Sequence, residues 1–145
     1  MNNVKVEVRC DPSAQEIDLI FNGLAEFNES RAGDARFKEF GIFASGESGA
    51  TIAGLLGHTL WNGFFISALW VAEAVRRKGI GQQLLARAEE LAIQNGCDHI
   101  HLDTFDFQAR DFYEKNGFQI FGAIEDYPVG HKRYYLVKKL GRQIM

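Results

Sequence analysis

Between residues 64 and 71 the side chains are apolar on both alternating faces, interrupted only by Ser67. A strand wetted on one side alternates, whereas one covered on both sides reads this way, so the segment predicts a central strand. The pattern then changes. Arg76, Arg77 and Lys78 lead to Gly79 and Gly81, and Ile80, Leu84, Leu85, Ala88, Leu91 and Ala92 fall at the spacing of one helix face. Residues 63–94 thus predict a strand that runs through a basic, glycine-bearing loop into a helix.

The flanking segments arrange themselves around that unit. Val4, Val6 and Val8 alternate with Lys5, Glu7 and Arg9, which predicts a half-buried opening strand over 4–9. Ser13 and Glu16 stand at capping-box spacing ahead of a stripe of Ile17, Ile20, Phe21, Leu24 and Phe27, with Gly23 and Asn28-Glu29-Ser30 predicting a break near the helix end. Residues 37–44 and 50–60 read as strands around a turn at 45–49, and Asn62-Gly63 signals a two-residue hairpin into the central strand. Past the helix, Gly96 is a stop and 98–104 a strand reached by a helical crossover, hence parallel to the central one. A short helix at 107–116 ends at Gly117, and strands follow at 118–124 and 133–138. The expected fold is α/β, with α+β character, built on a mixed sheet of six or seven strands with helices on both faces.

Composition narrows the classes. A chain of 145 residues fits one domain, taken as 1–145, with a full core. A net charge of -3 and 46% hydrophobic residues argue against a nucleic-acid binder and against disorder, so the basic triplet is a local feature. Cys10 and Cys97 have no metal or redox spacing and the chain opens without a charged-then-apolar leader, which predicts inert thiols in a reducing, cytoplasmic setting. No apolar run approaches the roughly 18 residues of a membrane helix, so no membrane association is expected.

Chemistry is most legible in the glycine loop. The first amides of a helix are unpaired and lie at the positive end of its dipole, glycines keep Cβ atoms out of the way, and three cations add attraction: the expected guest is a phosphate or pyrophosphate. A Walker A loop is excluded because no Gly-Lys-Ser/Thr follows. A dinucleotide site has Gly79, Gly81 and, about 20 residues on, Asp103 in its favour, but Leu84 takes the third glycine position and the preceding strands form a hairpin meander. A solvated charge cluster on a structural loop is the bland alternative. His99 and His101 share a strand face without a cysteine or spaced acid, so no metal site is expected.

The run Leu69-Trp70-Val71, then Arg76, Gly79 and Gly81, resembles the pyrophosphate-binding motif of the GNAT superfamily of N-acetyltransferases. A second block, Leu102-Asp103-Thr104 followed by Gln108-Ala109 and Phe112-Tyr113-Glu114-Lys115-Asn116-Gly117-Phe118, is similar to that family's later cofactor motif at the expected distance. The resemblance runs from about Val4 to Lys139, and the tail from Glu125 to His131 looks like that of small bacterial members. It implies a GNAT fold with a bulged central strand splayed from its parallel neighbour, and acetyl-CoA as co-substrate.

The same resemblance implies roles. The backbone of Leu69, Trp70 and Val71 pairs with the pantetheine arm and polarises the thioester carbonyl. Arg76, Arg77, Lys78, Gly79, Ile80, Gly81 and Gln82 hold the pyrophosphate, and Gln108 faces the cofactor or merely caps a helix. Tyr113 lies beside the sulfur as general acid, with aromatic packing as its rival role. A primary ammonium must also lose a proton before attack; Glu73, Asp103 and Asp126 are the candidate bases, Glu73 favoured as catalytic residue from its place at the end of the central strand. Tyr127 and His131 are candidates for the acceptor entrance. The expected activity is direct transfer of acetyl to a primary amine of a small molecule or peptide, since no cysteine or serine accompanies a base in motif spacing. Glu26, Glu29, Glu125 and Asp126 suit a cationic acceptor. The alternatives are a non-catalytic acyl-CoA-binding or sensor module and a dinucleotide binder, and an apolar C-terminal edge strand suggests a homodimer.

Overall fold

The computed structural model describes residues 3–141. They fall into two compact units, the first ending at Ala35 and the second beginning at Arg36. In the first, helix α1 (Ala14–Ala32) opens on Ser13, whose Oγ accepts from the Glu16 N–H at 3.1 Å while the Ser13 N–H donates to Glu16 Oε1 at 2.9 Å. Both partners of the capping box are therefore present. The helix runs unbroken through Gly23 and Asn28-Glu29-Ser30 to Gly33, at φ +81°. The break expected there is absent because one glycine costs a helix only about 1 kcal/mol. Residues 4–9 form no strand, and Val4, Val6 and Val8 are exposed. An alternating segment gains stability only from a neighbouring strand, and none pairs with it among the described residues.

The second unit is a six-stranded mixed sheet of β1 (Lys38–Ser45), β2 (Thr51–Leu60), β3 (Gly63–Val71), β4 (His99–Phe105), β5 (Gln119–Glu125) and β6 (Lys132–Lys139). Its order is β1-β2-β3-β4-β6-β5, and only β3 and β4 are parallel. A 3₁₀ turn (Glu73–Val75) follows β3, α2 (Ile80–Gln94) crosses over to β4, and α3 (Arg110–Lys115) precedes β5. Residues 107–109, expected to be helical, form a turn instead.

The β2–β3 hairpin turns on Trp61 and Asn62, one residue earlier than the Asn62-Gly63 signal, because Leu60 already pairs with Gly63. Gly63 is glycine for a different reason: a Cβ there would lie 2.8 Å from His99 Nε2. Asn62 then ties the hairpin to the start of β4, its carbonyl accepting from Asp98 N at 3.0 Å and its side chain donating to Asp98 Oδ1 at 3.0 Å. This fixes where the parallel pair begins.

One core holds the unit together. Leu55, Phe64, Ile100 and Leu136 are fully buried with Leu84, Leu85, Ala88 and Ala92 of α2, and Tyr113 and Phe118 extend the same cluster. Burying a side chain of the Leu or Phe class contributes roughly 1.5–3 kcal/mol, so α2 and α3 are held on one sheet face by their apolar stripes. No helix among the described residues is long and apolar enough to cross a membrane.

Candidate active site

β3 and β4 pair at three positions only, Gly63 with His99, Phe64 with Ile100 and Phe65 with His101. The register with β2 explains the parting. Gly57 faces Ile66 and Leu56 faces Ala68, so Ser67 is an extra residue, a bulge, with its Oγ donating to Leu56 O at 3.2 Å. A bulge bends its strand and raises the local twist, and β3 turns away from β4 from there on. Gly57 permits the close approach, since a Cβ would sit 2.6 Å from Phe65 O.

The parting leaves a cleft of about 300 Å³, lined by Ile66, Ser67, Ala68 and Leu69 of β3, by Leu102, Asp103, Thr104 and Phe105 of β4, and by Gln108, Ala109 and Tyr113. Past Phe65 the β3 edge toward β4 has no strand partner among the described residues. An unpaired edge of this kind accepts an extended chain through backbone hydrogen bonds. Alternation along β4 puts Leu102 and Thr104 on the buried face with α2 and Tyr113, and Asp103 and Phe105 on the other face. The cleft is thus open to chemistry from both sides of the sheet.

Beyond Val71 the chain builds a loop whose amides at 77–82 face no protein acceptor among the described residues. The Arg76 side chain donates from Nε to Val71 O at 2.9 Å, which fastens the loop to the end of β3. Arg77 at φ +64° and Gly79 at φ +82° then turn the backbone into α2. Gln83 N is the first amide of α2 with a partner, Gly79 O at 3.1 Å, and the N–H groups of residues 77–82 bond to no protein acceptor among the described residues. The first turn of α2 carries no acid. The two glycines differ in purpose: a Cβ on Gly79 meets nothing, so its positive φ explains it, whereas one on Gly81 would lie 3.1 Å from the Phe112 ring. Gly81 therefore lets α2 approach α3 and its Tyr113.

Tyr113 is buried between Phe112 and Phe118, with ring centroids 5.3 and 5.6 Å away, and burial pushes its phenol up to about 12. Gln108 closes the β4–α3 turn, Oε1 accepting from Phe105 N at 2.7 Å and Thr104 Oγ1 at 3.1 Å. It caps this turn and also lines the cleft, so its amide hydrogens stay available to a ligand.

The candidate bases separate. Glu73 is exposed at the start of the 3₁₀ turn, off the cleft wall and without a side-chain partner among the described residues. Asp126, at φ +55°, accepts from Gly130 N at 3.1 Å and so braces the β5–β6 loop. Asp103 lines the cleft and accepts from Arg133 Nη2 at 2.6 Å and Nε at 3.1 Å, both on Oδ1. Arg133 also donates to the Tyr127 hydroxyl at 3.2 Å and lies over the rings of Phe105, Tyr127 and Tyr135. Sequence reasoning missed Arg133, because an arginine in a half-buried strand reads as an ordinary solvent-facing residue. His131 Nδ1 is bonded to Asp106 Oδ1 at 2.8 Å and Tyr127 packs edge-on against Phe105, and neither is among the residues that line the cleft. His99 pairs with Asp98 at 2.8 Å, and no metal-binding cluster occurs among the described residues. Cys97 is buried, which pushes its thiol up, and Cys10 is exposed.

Comparison with known proteins agrees with this architecture. The model of the Acetyltransferase (GNAT) family matches residues 13–118. A blasticidin-S acetyltransferase of Streptomyces morookaense is 39% identical over 102 residues, 70% of this chain and 75% of that protein. A crystal structure of an acetyltransferase from Bacillus cereus ATCC 14579 superimposes with a TM-score of 0.82 at 34% identity, covering 92% of this chain and 98% of the other. An aminoglycoside 6'-N-acetyltransferase complexed with coenzyme A shares the fold alone, with a TM-score of 0.65 at 15% identity over 95% of this chain and 98% of its own. The chain belongs to the Acetyltransferase (GNAT) family and is an acyltransferase.

Proposed function

We propose that this protein transfers the acetyl group of acetyl-CoA to a primary amine of a small molecule by direct attack. The observation that carries the reading is the join of two features: a cleft where β3 leaves β4, and the run of unpartnered amides at 77–82 that opens α2. The amides take the pyrophosphate, with Arg76, Arg77 and Lys78 adding charge and Gly79, Ile80, Gly81 and Gln82 supplying backbone. The pantetheine arm lies along the free edge of β3 at Leu69, Trp70 and Val71, where an amide polarises the thioester carbonyl. One such oxyanion donor is commonly worth about 3–4 kcal/mol. Gln108 offers its amide hydrogens from the other wall.

Tyr113 serves the departing sulfur. A phenol at about 12 lies some 3 to 4 units above an ordinary thiol near ~8.5, so complete proton transfer to the thiolate is uphill by roughly 5 kcal/mol. It acts as a hydrogen-bond donor that stays protonated at every working pH, and the ammonium formed by attack provides the proton that the thiolate finally takes. Glu73, the one of the three candidate bases whose side chain has no partner among the described residues, removes the first proton of the acceptor through water. A non-catalytic acyl-CoA-binding module has no use for a buried phenol in that position.

The family match crosses the boundary between the two compact units, which supports reading 1–145 as one acetyltransferase domain. The free cysteines are in keeping with a cytoplasmic setting. The homodimer reading finds its edge strand in β5, where Phe121 and Ile124 are exposed. The acceptor tried first is blasticidin S, named by the Streptomyces relative, beside spermidine and glycinamide. Free-thiol release from acetyl-CoA that depends on one of these amines is the expected result; acetyl-CoA binding with no release for any of the three overturns the small primary amine as acceptor.

A further inference from the structure

Resting on the acetyltransferase reading, the geometry points to Asp103 as the residue that recognises the acceptor: its carboxylate, oriented by Arg133, binds the cationic amine entering the cleft from the sheet face opposite Tyr113. Three observations converge on it. Asp103 lines the cleft and is placed by strand alternation on the face away from α2 and Tyr113. An acceptor approaching from that face meets the acyl group without crossing the phenol. Next, the carboxylate is held rather than spent. Both bonds from Arg133 go to Oδ1, at 2.6 and 3.1 Å, and Oδ2 has no protein donor among the described residues. Finally, Arg133 is itself fixed, by the Tyr127 hydroxyl at 3.2 Å and by the rings of Phe105, Tyr127 and Tyr135. Those rings give the guanidinium a cation–π seat and hold Asp103 in one rotamer.

A guanidinium beside the carboxylate does not cancel its pull on a cation. With an ammonium about 3 Å from the carboxylate and about 6 Å from the guanidinium, Coulomb's law leaves roughly half the attraction of an unpaired acid. The pair is a dipole whose negative end serves the cleft. Asp103 binds and orients the acceptor and leaves deprotonation to Glu73, the base of the proposed reaction. Arg133 is a positioning residue that acts through Asp103. The substrate class follows: a small, water-soluble primary amine that is cationic when it arrives.

The test uses the full chain and two titrations, acetyl-CoA and, separately, blasticidin S and spermidine, for the wild type, Asp103→Asn, Arg133→Gln and Arg133→Lys. The expected result is at least a 10-fold loss of amine affinity in Asp103→Asn with acetyl-CoA affinity within 2-fold of wild type. In turnover, KM for the amine rises at least 10-fold while kcat changes less than 3-fold. Arg133→Gln shows a smaller rise in the same constant, and Arg133→Lys recovers part of it, which a merely structural role would not do. Unchanged amine affinity in Asp103→Asn, or no binding of either amine by the wild type, overturns the proposal. Unimpaired acetyl-CoA binding in the variant certifies that it is folded. Failure of wild-type acetyl-CoA binding instead sinks the acetyltransferase reading, and the amine titrations still decide the role of Asp103.

Discussion

Tyr113 shows how one residue can be legible in kind and hidden in degree. The resemblance carried by the second block implied a role for this tyrosine, yet only its burial against Phe112 and Phe118 raises the phenol to about 12. Tyr113→Phe removes the donor and little else, so turnover should fall by about 10²–10³ while acetyl-CoA affinity stays within 2-fold, both read on one preparation. The phenol also has a stability signature. Between its unfolded value near ~10 and its folded value the unfolded chain gives up a proton that the native state keeps, so stability declines as pH rises through that window, by roughly 3 kcal/mol in full. Chemical denaturation at pH 9 and 12 should show the decline in the wild type and a shallower one in Tyr113→Phe. Glu73→Gln should lower the rate below pH 7 by about 10-fold and converge with the wild type in alkaline buffer, where the amine is already neutral. Equal pH profiles would remove Glu73 from the mechanism. Its exposure had no sequence signal, since a strand-end acid reads the same on or off a cleft wall.

Elements were easier to read than their ends. The central strand, the crossover helix and the parallel pair follow from an apolar run, a 3.6-residue period and a glycine loop. The family resemblance implied a bulged central strand, but the place of the bulge at Ser67, on which the cleft depends, did not follow from the apolar run. A bulge is a register event between two strands, and a single serine in an apolar run carries no record of it. Gly57→Ala tests that element: its Cβ would meet Phe65 O at 2.6 Å, a backbone contact that cannot yield, and a loss of about 1–3 kcal/mol is expected by denaturant titration. The same sheet carries a row of rings, His58 to Phe65 at 5.5 Å, Phe65 to His101 at 5.0 Å and His101 to His99 at 5.7 Å. Burial, then the charges of His99 and His58, hold His101 below its usual range, against a smaller opposing effect of Asp103. The unfolded chain therefore binds this proton first, stability falls as pH drops through about 6.5, and His101→Gln should flatten that acid limb.

At the scale of the whole molecule, one hydrophobic core runs through the unit that begins at Arg36, so a ligand gripping both β3 and the start of α2 stabilises that unit by mass action. Saturation at 100 times Kd adds about 2.7 kcal/mol, which in a chain of this size raises Tm by roughly 5–10 °C. The opening segment was the least legible part, because alternation at Val4, Val6 and Val8 specifies a strand only where a partner edge is within reach. The central claim is that the loop at 77–82 and the parted strands β3 and β4 form an acetyl-CoA site. Isothermal titration of the intact protein with acetyl-CoA, and with NAD as control, tests it most directly. One-to-one micromolar binding of acetyl-CoA without binding of NAD is the predicted result; no heat from acetyl-CoA, or tighter binding of NAD, would contradict the account.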